Sequence, residues 1–556
     1  MRRRLVAASV ALVCVVLTGC ASIPSSGGVQ RGDPAAADPV DLDILAPGPV
    51  DGATQQEIVD GFIAAAQSPR GNYQVAREYL TPTFAEEWEA DAAATIDVLA
   101  ERDPEQVDES TIRYEATPAA TLRENGQYEE PDSRTPIPLE YRLEQVEGEW
   151  RIAGAPTGIL IDQVSFEQVF RPYTLYFFDP TFQFLVPDVR WYAGRESAQT
   201  SIVRALLAGA AEWLAPGVVS AFPEGAQLEP ASVPVTGGVA SVSLSGAAFD
   251  DLTTVQQMQA QLDANLIGVR NIESVDLRLN GVDPDAPPLP DRPVKNVPVD
   301  PRSVVFDGET FGYLATSGES ISPLPELSEQ VAALAPTAAA LGAGGTSAAV
   351  LNADGVSLVR VGDDAALLDP RDGLVTPAID GEGIVWSVPV DAPDELVWYA
   401  PDGTPNPIAV PWSGSSIAAI AVSRDATRIV ALLADGARTH FVAASIRRGP
   451  DGTPVELGTT PLRLDDVSGT PLDVAWLDAH TVASLTALPD GTTRIVTQEL
   501  GGFAGQRDGP PGGVAIDGGL TELRVLTSGG ELDVRAGVGW QVRASGIRFV
   551  SAQQSD

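Results

Sequence analysis

The stretch Ile417-Ala-Ala-Ile-Ala-Val-Ser-Arg-Asp-Ala-Thr-Arg-Ile-Val-Ala-Leu432 decides the fold of the larger half of this chain. Two short apolar runs flank Ser423-Arg424-Asp425, so the segment reads as strand, tight turn and strand, the pattern of a propeller blade. Leu472-Asp-Val-Ala-Trp-Leu477 followed by Thr481 to Leu485 repeats that shape some 55 residues later. Ten Asp-Gly steps, at Asp307, 354, 372, 380, 402, 435, 451, 490, 508 and 517, punctuate the surrounding β-branched runs, as successive hairpins require. Helical periodicity almost vanishes after Asp300. At roughly 40 to 50 residues per blade, residues 301–556 are expected to form an all-β propeller of five or six blades.

Working outward, residues 282–300 are rich in proline (Asp283-Pro-Asp-Ala-Pro-Pro-Leu-Pro290) and read as a stiff linker. Residues 171–281 alternate strand and helix signals. Tyr173 to Phe178 and Phe182 to Val186 read as strands, and Ile202, Val203, Leu206 and Leu207 as one helix stripe. A hairpin is expected across Gly237-Gly238, then a helix carrying Val255, Met258, Leu262 and Leu266, then the alternating strand Ser274 to Leu279. One compact α+β domain is expected. Residues 51–170 begin with helices, one from Gln55 to about Gln67, a second carrying Val75, Tyr79 and Leu80, and a third opened by Pro82. Strands at Thr111 to Tyr114, Ile137 to Val146 and Trp150 to Ile152 follow, which predicts an α+β cone with a curved antiparallel sheet, similar to the NTF2-like fold. Phe62, Tyr79, Phe84 and Trp88 are candidates for lining a pocket in such a cone, although aromatics at helical spacing more often fill the core.

At the N-terminus, Arg2, Arg3 and Arg4 precede an apolar run from Leu5 to Leu17, the asymmetry of a secretory signal. A spanning helix needs about 20 apolar residues, more than this run offers. Leu17-Thr18-Gly19-Cys20 resembles a bacterial lipobox, with small residues before a cysteine whose thiol takes a diacylglycerol. Residues 1–19 are therefore expected to be a lipoprotein signal peptide and residues 20–50 a lipidated cysteine with a flexible tether. Each buried methylene of the acyl chains would contribute about 0.8 kcal/mol to holding the protein, lipid-anchored, on the extracytoplasmic face of the cell membrane.

The two cysteines are Cys14, inside the signal, and Cys20, so no intramolecular disulfide is available to the mature chain. Net charge is −41 at pH 7, which disfavours nucleic acid and anionic lipid and favours a neutral or basic partner. Residues Glu86 to Glu109 hold ten carboxylates against one arginine, Arg102. That run reads as a solvated helix face and loop, or as a docking surface for a basic partner. Two histidines, His440 and His480, occur outside any HxH or HExxH pattern, and no GxSxG elbow or phosphate loop is present. No catalytic, cofactor or metal residue is nominated. Asn352-Ala-Asp-Gly and Pro450-Asp-Gly-Thr lack the spaced ligands of a calcium loop and read as turns.

The Cys20-Ala-Ser-Ile-Pro-Ser-Ser-Gly27 start, the Phe62 helix, Ala76-Arg-Glu-Tyr-Leu-Thr-Pro82 with Trp88, the middle α+β domain and the degenerate propeller together resemble the LpqB family of actinobacterial lipoproteins. The resemblance implies a GerMN-like middle domain and no enzymatic activity. It also implies an accessory role to the MtrA–MtrB two-component system, in which the protein binds the extracytoplasmic domain of the sensor histidine kinase and modulates signalling that governs cell-wall homeostasis and division. Two other classes compete with that expectation. One is binding of envelope glycan or a small ligand, with Trp386, Trp398 and Trp412 as stacking candidates. The other is a propeller hydrolase, which would need paired carboxylates in the central channel about 5 to 9.5 Å apart.

Overall fold

The computed structural model describes residues 46–131, 134–194, 197–436, 438–519 and 522–555. The signal peptide, Leu17, Thr18, Gly19, Cys20 and the tether up to residue 45 lie outside the described residues.

Three helices open the first domain. Helix α1 (Gln55–Ala65) starts at a capping box in which Thr54 Oγ1 accepts from the Glu57 backbone N–H and the Glu57 carboxylate accepts from the Thr54 N–H. Its buried stripe is Ile58, Val59, Phe62 and Ile63. Helix α2 (Arg70–Arg77) begins with Gly71, Asn72 and Tyr73 at φ of +55°, +58° and +56°, a left-handed turn that helical periodicity does not announce. Helix α3 (Pro82–Glu87) is capped by the Thr81 side chain with proline in its first turn.

Behind the helices stand two four-stranded sheets where a single antiparallel sheet was expected. One orders Asp103–Gln106, Thr111–Ala116, Ile137–Val146 and Glu149–Gly154. The other orders Tyr128–Glu129, Pro118–Arg123, Ala93–Asp97 and Ile159–Asp162, and its last pair is parallel. The acidic run holds more than the expected helix face and loop: Glu86 and Glu87 end α3, but the run also contributes the strands Ala93–Asp97 and Asp103–Gln106. Asp97 is fully buried and receives two hydrogen bonds from Arg102, at 2.6 and 2.7 Å, while the other carboxylates of the run remain exposed. Helix α4 (Gln163–Val169) closes the domain from the N-cap Asp162.

A long hairpin, Phe170–Phe178 paired with Leu185–Ala193, then crosses the expected boundary at residue 170. Phe170, Val189 and Trp191 at its near end lie in the core of the first domain. Leu175 to Phe178, Leu185 and Val186 at its far end lie in the core of the second. Helices α5 (Ala198–Ala208) and α6 (Leu252–Leu266) pack on that far end. Two buried amides of α6 fix it there: Asn265 Oδ1 accepts from the Tyr176 N–H at 2.8 Å, and Gln261 Nε2 donates to the Tyr176 carbonyl at 2.9 Å. A small sheet centred on Val239–Ser245, with Ser274–Leu279 parallel beside it, completes the domain. Residues 282–300 carry no regular element but are not a free spacer, because Val294 bridges to the hairpin at Phe184 and Gln256 Nε2 donates to the Pro287 carbonyl at 2.7 Å.

Among the described residues the propeller has six blades. Their innermost strands, Ala338–Leu341, Ala378–Ile379, Ser416–Val422, Thr470–Trp476, Gly513–Gly519 and Phe549–Gln553, form a closed ring of neighbours around a central channel. The ring is closed by the chain's last strand: Phe549–Gln553 pairs with Val304–Phe306 and so completes the blade that opens the domain. Most Asp-Gly steps lie at turns, as at Asp402 and Asp490, whose Oδ1 atoms accept from Thr404 N and Thr492 N. Asp517-Gly518 instead sits inside the strand Gly513–Gly519, because Asp517 is buried against Arg524.

Candidate functional site

The three domains meet at one aromatic cluster. Trp191 of the hairpin, with its near neighbours Tyr128 and Phe166 of the first domain, surrounds Phe503 of the propeller at ring separations of 5.2, 4.9 and 5.8 Å. Trp191 Nε1 donates to the Gly501 carbonyl of the same propeller loop at 2.9 Å. Close approach here needs a glycine. Gly126 lies at φ +81°, and a Cβ would fall 2.9 Å from both the Trp191 carbonyl and the Tyr192 ring. The neighbouring Arg190, also buried, is held by Asp188 at 2.7 Å and donates to the Asn125 carbonyl of the first domain at 3.0 Å. Trp213 and Leu214 bind the second domain to the propeller by sharing a core with Val430, Leu432 and Phe441.

Docking of the first two domains leaves a cleft of about 850 Å³ beside this junction. That volume falls in the range typical of small-molecule sites, roughly 300 to 1,000 Å³. One wall comes from the first domain, with Tyr73, Asp91, Arg123 and Asn125. The other is Tyr192 and the face of α5 that carries Ser201, Arg204, Ala205 and Ala208, spaced as one side of a helix. Tyr73 Oη donates to Asp91 Oδ1 at 2.9 Å, Arg123 pairs with Glu129 at 2.7 Å, and Arg204 Nη2 donates to the Ala231 carbonyl at 2.7 Å. Alanines fill much of the remaining lining, which keeps the space open.

The first domain also touches the propeller through charge. Arg134 lies 3.0 Å from Asp465 and 3.8 Å from Glu130. Burial, with the Asp465 charge adding and Arg134 opposing, pushes the Glu130 carboxyl up to about 7. A carboxyl whose folded-state value lies above its unfolded one favours folding when protonated, so this contact weakens as pH rises from about 4.5 to 7. Glu130→Gln is therefore expected to be neutral near pH 4.5 and to stabilise by about 2 kcal/mol at pH 8, measured by denaturant unfolding at both pH values. No gain at pH 8 would mean that the Glu130 charge is already matched.

The residues nominated from sequence are mostly placed elsewhere. Phe62, Tyr79 and Trp88 are core residues, and Phe62 borders only a cavity of about 10 Å³. Phe62 and Trp88 meet edge to face at 5.0 Å, and Tyr79 Oη donates to the Pro47 carbonyl at 2.9 Å. Phe84 packs half-buried against the same core. Trp386, Trp398 and Trp412 fill a blade interior, where Trp386 Nε1 donates to Asp380 and Trp412 Nε1 to the Pro393 carbonyl, so none presents a face to a sugar. His440 lies on the strand Arg438–Arg448, and His480 sits in a turn with Nε2 3.2 Å from Glu499, so the two belong to different blades. The channel carboxylates are Asp473 and Asp517, the latter paired with Arg524 at 3.1 Å. Asn352 and Asp451 make the expected turns by accepting from backbone N–H groups two residues on. Among the described residues no three His, Cys, Asp or Glu side chains converge as metal ligands. Neither Phe503 nor the cleft was legible in the sequence, because each exists only through contacts between segments hundreds of residues apart or on separate domains.

A six-bladed propeller fused through shared cores to two α+β domains, with a cleft between those two, defines a multidomain scaffold. Family models match this order: the LpqB N-terminal domain over residues 48–167, the sporulation and spore germination domain over 174–285, and the LpqB β-propeller domain over 313–546. The chain belongs to the LpqB lipoprotein family. It is 32% identical over 235 residues to lipoprotein LpqB of Cutibacterium acnes, covering 42% of this chain and 39% of that one. The LpqB of Thermobifida fusca is 32% identical over 51% of this chain and 48% of its own. That of Rhodococcus opacus is 32% identical over 47% and 44%. The matches thus span less than half the length of these relatives. Family membership makes the protein a membrane-anchored lipoprotein, and no helix among the described residues is long and apolar enough to cross a membrane.

Proposed function

We propose that the protein stands on the extracytoplasmic face of the cell membrane, held by lipid on Cys20, and acts there without catalysis. In this reading it binds the sensor domain of a histidine kinase and modulates two-component signalling that controls cell-wall homeostasis and cell division. The observation that carries the reading is the cleft between the first two domains, whose walls belong to separate domains locked together by the Phe503 cluster. A cleft of that kind accepts a loop or helix end of a partner. Preferential binding to one state of a two-state kinase shifts its population by the difference in affinity. The exposed carboxylates around residues 86–109 lie on the first domain and would speed encounter with a basic partner.

Calorimetric titration of residues 21–556 against the isolated extracytoplasmic domain of a sensor kinase from the same organism is expected to give saturable binding that weakens with salt. Ala208→Trp, which fills the cleft from an exposed position on α5, is expected to weaken that binding about tenfold, or about 1.4 kcal/mol. No heat and no co-purification would overturn the reading. Weight would then move to a second one, binding of envelope glycan or a small ligand, which the cleft volume and the half-buried Tyr192 ring favour. Retention of the protein on purified cell wall, abolished by Ala208→Trp, would be its signature.

A further inference from the structure

We propose that the central channel of the propeller binds a small oxyanion, a carboxylate or phosphate group, through the guanidinium of Arg424. This inference is independent of the kinase reading, since it concerns a different cavity.

The chain is strongly acidic, and its buried arginines are matched to carboxylates: Arg190 to Asp188, Arg428 to Asp425, Arg448 to Asp380 and Arg524 to Asp517. Arg424 departs from that pattern. It stands two residues past the inner strand Ser416–Val422 and lines the channel, a cavity of about 260 Å³. Its Nη2 donates to the Gly518 carbonyl at 3.0 Å, its Nε is buried with no partner, and no carboxylate lies within ion-pair distance among the described residues. Burial lowers the Arg424 pKa, and the more distant charges of Asp517, Asp478 and Asp425 offset that only in part, so the guanidinium is under-compensated for its desolvation. An oxyanion presents acceptor oxygens to the free edge of a guanidinium fork and supplies the missing charge.

The rest of the channel tolerates an anion. Asp517 is already neutralised by Arg524. Burial pushes the Asp473 carboxyl up to about 7, and its two oxygens accept from the Val474 and Ile516 N–H groups, both at 2.9 Å. Gln554, at the end of the closing strand, lines the same cavity with a buried Oε1 that has no partner, ready to accept from a protonated oxyanion. The cavity lies at the small end of ligand sites, which limits the occupant to a few heavy atoms around the charged group.

The test uses the full mature lipoprotein in detergent, titrated calorimetrically with inorganic phosphate and separately with succinate at low chloride. Saturable binding of either is expected, and which of the two binds identifies the anion as phosphate or carboxylate. Arg424→Gln is expected to weaken that binding about tenfold or more, the loss of a charge-assisted contact, while Arg438→Gln, at an exposed position outside the channel, leaves it within about twofold. Hydrogen exchange on the wild-type chain needs no variant: the effective anion is expected to slow exchange in residues 416–428 and 513–519. Absence of saturable binding by both anions, equal binding by Arg424→Gln, or unchanged exchange in those two segments would each overturn the proposal.

Discussion

Trp191→Ala is expected to destabilise the protein by about 3 to 5 kcal/mol and to split a single unfolding transition into two. Trp191 is 6% exposed and touches three rings, Phe166 at 5.2 Å, Phe503 at 5.2 Å and Tyr128 at 6.3 Å. Its indole N–H holds the Gly501 carbonyl. Truncation removes the largest side chain of the junction and leaves a cavity shared by the hairpin, the first domain and the propeller loop. The first domain has its own core of Ile58, Phe62, Trp88 and Ile152, so it should stay folded as a unit but lose its attachment. Scanning calorimetry should show the earlier transition, and limited proteolysis a new cut near residues 499–505. Trp191→Phe, which keeps most ring contact and loses only the hydrogen bond, is expected to cost about 1 kcal/mol. A single transition with under about 1 kcal/mol lost in Trp191→Ala would show that the junction does not couple the domains.

Asp425→Ala is expected to cost a comparable 3 to 5 kcal/mol, about what removing one partner of a buried ion pair costs, and to act inside the propeller. Asp425 accepts from Ser423 Oγ at 2.6 Å, from Thr427 Oγ1 at 2.6 Å and from the Thr427 N–H at 3.1 Å, and it pairs with Arg428. Arg428 is fully buried over the Trp476 ring at 4.9 Å, and its Nε and Nη1 have no partner of their own. Without Asp425 that guanidinium would carry an unmatched charge. Burial works to raise the Asp425 pKa, but Arg428 and the three donors outweigh it and hold the carboxyl below its usual range. A depressed folded-state value means the stabilisation is complete above the unfolded value, about pH 4, and is lost as pH falls through the folded one. The wild-type advantage over Asp425→Asn in denaturant unfolding should therefore be constant from pH 5 to 8 and shrink below about pH 4. A constant gap down to pH 2 would mean that Asp425 carries no charge-dependent share.

Patterns with a short period were legible. The stripe of Ile58, Phe62 and Ile63 predicted α1, whose start is secured by the Thr54 and Glu57 capping box. Ile137–Val146 alternates through its middle as a half-buried strand must, with Leu139, Tyr141 and Leu143 inward and Glu140, Arg142 and Glu144 outward. Ser423-Arg-Asp425 marked a blade turn because its side chains bond their own backbone, a local interaction. The strand Ala93–Asp97 was hidden, since an acidic run reads as solvated and only Arg102 makes Asp97 tolerable inside.

By itself, then, the sequence determined the domain order, the β-propeller, the principal helices and the lipobox expectation at Cys20, because each rests on side-chain spacing or a motif within a few residues. Only the tertiary structure decided that there are six blades closed by Phe549–Gln553, that one hairpin serves two cores, and that Phe503 locks three domains beside a cleft. It also decided that Arg424 faces the channel with its Nε buried and unpartnered. Those features come from contacts between residues far apart in the chain, and such contacts impose no period on the sequence that makes them.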